Sequence, residues 1–76
     1  MIVNKDIHPE RKIYYLGALV IDLLKQLPSD EIDFFTAYQK LNDVEKVSME
    51  IFSLTLDWLY VLGVIDGKNG YIKKCF

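Results

Sequence analysis

The chain is expected to fold as a mainly α-helical domain with a small β-hairpin, a winged helix-turn-helix arrangement of three helices. Three observations carry that expectation. Three stretches repeat apolar residues at helical spacing; the last of them runs into Gly63; and two short strand-like segments around a glycine-rich turn follow at once. At 76 residues there is room for one domain, and a chain this short buries only about 60% of the surface its unfolded form exposes.

Residues 1–8 read as an extended lead-in. Pro9 then marks a helix start, because its missing N–H costs nothing at the first helical position and the residue before it is held out of the helical region. The first helix is expected over 9–27, ending against Pro28. Ile13, Leu16, Val20, Leu24 and Leu27 recur at intervals of three and four and form its inner face, with Asp22, Lys25 and Gln26 opposite. Gly17 falls within that inner face, where a missing side chain lets another helix come close.

Pro28-Ser29-Asp30 forms a turn and Glu31-Ile32 a short extended piece. Asp33 is a good N-cap for a second helix over 33–41, whose inner face is Phe34, Phe35, Tyr38 and Leu41. A polar connection over 42–47 leads to Ser48, which caps a third helix over 48–62 with Glu50 in its first turn, where negative charge suits the helix dipole. Gly63 supplies the left-handed residue that commonly closes a helix. The wing hairpin occupies 64–73, with its turn at Gly67-Lys68-Asn69-Gly70.

The third helix holds the position of a recognition helix, yet its only charged residues are Glu50 and Asp57. A reader of DNA bases normally brings Arg, Lys, Asn or Gln to that surface. The formal net charge of −2 likewise lacks the basic footprint of an autonomous nucleic-acid binder. Projected at 100° per residue, Ile51, Phe52, Leu54, Leu56, Trp58, Leu59, Val61 and Leu62 cover an arc of roughly 200°, about twice the stripe a surface helix needs. One reading has the rest of a small domain wrapped around this helix. The other leaves an apolar flank, with Leu54, Leu56, Tyr60 and Val61 as candidates, to dock another chain.

Lys68, Lys73 and Lys74 lie in or just after the wing, where phosphate contacts are made in many winged helices. Lysines on a hairpin more often keep an edge strand soluble. Three charges would in any case give only weak, salt-sensitive binding.

Nothing points to catalysis, a metal or a cofactor. His8 has no sequence neighbour to make it a base, the carboxylates are scattered, and there is no glycine-rich phosphate loop or nucleophile elbow. Cys75 is the only cysteine, which rules out an internal disulfide and a cysteine zinc site. The start of the chain lacks the pattern of a signal peptide and the apolar run 13–27 is broken by Asp22, Lys25 and Gln26, so a soluble cytoplasmic protein is expected.

Two blocks stand out together: Lys5 with Ile7-His8-Pro9-Glu10-Arg11 at the start, and Leu56-Asp57-Trp58-Leu59-Tyr60-Val61-Leu62-Gly63 before the wing. They resemble the small middle component, sixth class, of the bacterial ABC-three-component systems, with an opening of the type Lys-x-Ile-x-Pro-Glu-Arg and a Leu-Asp-x-Leu-Tyr-x-Leu-Gly block. Between them, 27–47 matches in length and pattern only. The resemblance implies a non-enzymatic adaptor. Its partners would be an SMC-like coiled-coil ABC ATPase, of the chromosome-maintenance and DNA-repair kind, and an effector, often a nuclease, in defence against phages and plasmids. It carries over no catalytic or interface residues. Two other readings stay open beside it: a small winged-helix transcriptional regulator that binds DNA, and a self-associating module that covers its apolar surface as a homodimer.

Overall fold

The computed structural model of the protein describes residues 9–76, with side chains from Lys12 onward. The lead-in over 1–8, His8 included, lies outside the described residues, as do the side chains of the opening motif through Arg11. The elements run α1 (Pro9–Lys25), β1 (Glu31–Asp33), α2 (Phe34–Val44), α3 (Met49–Val61), β2 (Ile65–Lys68) and β3 (Tyr71–Lys74). This is a winged-helix-like arrangement, mainly helical with a small antiparallel sheet. The sheet has three strands rather than two, in the order β1-β3-β2. The short extended piece after Pro28 is its outer strand, pairing Ile32 with Ile72 on the central β3.

Local chemistry sets the helix ends. Helix α1 stops at Lys25, two residues before the sequence expectation, and Gln26 and Leu27 close it with tighter bonds to the carbonyls of Leu23 and Leu24 at 3.2 Å. Pro28 accounts for this, since it excludes Leu27 from the helical region. At the start of α2, the Asp33 carboxylate accepts from the Thr36 N–H at 2.9 Å. The helix then runs three residues past Leu41. Asn42 extends it by donating to the Tyr38 carbonyl at 3.0 Å and accepting from the Val47 N–H at 3.2 Å, while the Tyr38 hydroxyl donates to the Val47 carbonyl at 2.9 Å. Ser48 caps α3 by accepting from the Ile51 N–H.

The far end of α3 is a Schellman closure. Gly63, at φ 81°, donates to the Tyr60 carbonyl and Val64 donates to the Leu59 carbonyl, both at 3.0 Å. That closure turns the chain into β2. The hairpin turn is only two residues, Asn69 (φ 52°) and Gly70 (φ 81°), so Gly67 and Lys68 belong to the strand instead of the turn. Positive φ at both central positions is what a right-twisted two-residue hairpin demands.

The core is built from Leu16, Val20 and Leu24 of α1, Ala37 and Leu41 of α2, and Phe52, Leu56 and Leu59 of α3, with Ile32, Ile65 and Ile72 beneath them on the sheet. Phe52 lies at its centre, with the rings of Phe34 and Tyr38 at 5.2 and 5.3 Å. Thr55 is fully buried among these residues, and its hydroxyl donates to the Ile51 carbonyl one turn back at 2.8 Å. Helices α1 and α3 meet at Gly17, where a Cβ would stand 2.6 Å from Trp58 Cζ3 and 3.5 Å from Leu59 Cδ2.

Candidate functional site

Packing divides α3 into three sides. Phe52, Thr55, Leu56 and Leu59 face inward. Leu56 is only 8% exposed and belongs to the core, so it leaves the set of partner-facing candidates: at 100° per residue it falls beside Phe52 and Leu59, against the sheet. The other three candidates do not form one patch. Leu54 and Val61, 48% and 79% exposed, share one flank, while Tyr60, 58% exposed, stands on the opposite flank toward the wing.

On the Leu54 side, Trp58 lies between the two exposed aliphatics at steps of four and three residues, so the three side chains follow one another along the helix surface. Trp58 is half-buried. Its ring carries Tyr14 of α1 at a centroid distance of 5.0 Å, and Tyr14 is itself 57% exposed. The result is an apolar ridge shared by α3 and α1. Tyr14 and Trp58 were not among the sequence candidates. The signal that could have found them was Gly17, whose missing side chain draws the Trp58 ring onto α1.

On the Tyr60 side, an open groove of about 430 Å³ separates α3 from the wing, with Phe34, Tyr60, Ile65, Tyr71 and Ile72 in its walls. Gly67 lies opposite Ile72 and presents no side chain there.

The strand register separates the wing lysines. Side chains alternate across a strand, so Lys74, opposite the buried Ile65, falls on the inner face. Its ammonium reaches under the sheet and donates to the Leu24 carbonyl at 3.1 Å, capping the C-terminal end of α1. It is therefore engaged inside the fold and withdrawn from the candidate phosphate contacts. Lys73 lies on the outer face directly between Glu31 of β1 and Asp66 of β2. Lys68 is beside Tyr71 at the tip, with Asp33 beyond Tyr71 in the same row. That outer face thus sets three carboxylates against two ammonium groups. It offers a polyanion no positive field.

Among the described residues, no group of three or more His, Cys, Asp or Glu side chains is placed to hold a metal ion, and no helix is long and apolar enough to cross a membrane. Cys75 is exposed and free.

Residues 2–75 match the family model of the ABC-three component (ABC-3C) system Middle Component 6. The chain belongs to this family. No similar curated protein and no similar solved structure was found. Membership makes this Middle Component 6 chain one subunit of a multi-component system, which supports an adaptor role in general and implies partner subunits. An exposed apolar ridge is the kind of surface such a subunit needs.

Proposed function

We propose that the chain is a non-enzymatic adaptor that joins an SMC-like coiled-coil ABC ATPase to an effector, often a nuclease, in a bacterial anti-phage and anti-plasmid defence complex in the cytoplasm. The observation that carries this reading is the ridge on which Leu54, Val61 and Tyr14 stand exposed around the half-buried Trp58, outside the core of the described residues. Apolar surface on a small domain is stabilised by a second chain.

The test is co-expression with the ATPase and effector encoded beside it, followed by native mass measurement. One complex containing all three products is expected. A chain that stays monomeric beside both products refutes the adaptor role.

The charge pattern opposes a DNA-binding regulator. Of the three wing lysines, Lys74 is engaged on α1 and Lys73 lies between two carboxylates, which leaves Lys68 alone without such company. Replacing Lys68 and Lys73 by Gln should leave the protein complex intact at low and high salt alike; a DNA reader would lose affinity steeply.

A further inference from the structure

We infer that the outer flank of α3 is a heptad seam that docks a basic amphipathic helix from a different protein. This deepens the adaptor reading and rests on it. Ile51, Leu54, Trp58 and Val61 are spaced three, four and three residues apart, the a and d positions of two successive heptads. The two d positions, Leu54 and Val61, are the exposed ones, and Ile51 and Trp58 lean partly onto the core behind them. Along α1, Tyr14, Ala18 and Ile21 follow one another at the same spacing on the side where Tyr14 meets Trp58. A helix laid on the seam thus rests against α3 and is flanked by α1.

The edge of the seam away from α1 carries the charge. Glu50 and Asp57 each precede an a position by one residue and so occupy successive g positions; both are exposed, and neither forms an ion pair among the described residues. Residues at e and g select the partner of a coiled coil by charge. The complementary helix carries apolar residues at spacings of three and four and Lys or Arg along the flank that meets Glu50 and Asp57. A second copy of this chain does not meet that description. Two α3 seams paired antiparallel about a two-fold axis set Ile51 opposite Val61 and Leu54 opposite Trp58, which brings the Asp57 carboxylates of the two copies together beside the axis with nothing basic on that flank to offset them. From Ile51 to Val61 the seam is roughly 15 Å long, short enough for the flanking charges to matter to the affinity.

The test places a benzophenone-bearing residue at Val61, and separately at Lys73 on the outer face of the sheet, in the full chain co-expressed with the neighbouring ATPase and effector. The Val61 probe should capture a helix of one partner with apolar residues at heptad spacing and Lys or Arg beside them; the Lys73 probe should not reach that helix. Glu50→Gln with Asp57→Asn should weaken the same complex about fivefold at low salt and flatten its salt dependence. Leu54→Ser with Val61→Ser should release the captured partner while leaving the melting temperature of the free chain nearly unchanged. The inference is overturned if the complex forms and the Val61 probe captures nothing, an extended segment, an acidic helix or a second copy. If no complex forms with either product, the adaptor reading fails and the seam falls with it.

Discussion

Replacing Gly17 by alanine tests the closest approach in the fold. A methyl group there lies 2.6 Å from Trp58 Cζ3, where ordinary contact begins at 3.4 Å, so either the indole must swing outward or α1 and α3 must separate. Two effects compete. Alanine in mid-helix gains roughly 0.8–1.0 kcal/mol over glycine, whereas forcing an extra carbon into a packed contact typically costs about 1–3 kcal/mol. In the native background the clash should win, with a net loss of about 1 kcal/mol. With Trp58→Ala the obstructing ring is gone and Gly17→Ala should stabilise by up to about 1 kcal/mol. The sign therefore reverses between backgrounds, with a coupling of about 2 kcal/mol. In a domain of this size 1 kcal/mol moves the melting temperature by roughly 4–8 °C, so thermal melts of the four proteins resolve it. If Gly17→Ala raises the melting temperature equally in both backgrounds, the close contact between the helices is not what requires glycine.

Lys74→Met should lose about 0.5–1.5 kcal/mol by removing the hydrogen bond to the Leu24 carbonyl, whereas Lys68→Met should change chemical denaturation by no more than about 0.5 kcal/mol. Thr55→Val should be close to neutral, because its hydroxyl bonds only to the Ile51 carbonyl of its own helix and valine fills the same buried space; a loss above about 2 kcal/mol in urea melts would contradict this. Gly70→Ala should cost about 1 kcal/mol or more, since alanine is strained at φ 81° in the two-residue turn, and hydrogen exchange should show β2 and β3 losing protection together.

The sequence was most informative where a single residue acts on its neighbours. Asp33, Ser48 and Gly63 announce a helix start, a helix start and a helix end, and each does so through bonds to groups within five residues. It was least informative where the outcome depends on a distant partner. The two-residue turn at Asn69-Gly70 follows from the pairing of Lys68 with Tyr71, and a glycine at 67 looks like turn material until that register is known. The same register turns Lys74 inward and Lys73 outward, a difference invisible in a run of two lysines. On α3 the wide apolar arc was legible, but its division was not. Leu56 and Leu54 differ by 160° around the helix, and only the positions of the sheet and α1 decide which of them is covered.

Strand β1 has no partner near it in the chain. Its neighbour is β3, about forty residues downstream, and β3 also fills the core through Ile72 and secures α1 through Lys74. During synthesis all three helices can emerge before the strand that pairs with Ile32 exists. The β2–β3 hairpin is local, so pairing of β1 with β3 is the non-local contact of the sheet and is expected to form late, and a chain halted before Tyr71 would present a helical bundle with its underside uncovered. Completion of β3 thus decides whether the helices of this subunit present a closed domain or an uncovered apolar face.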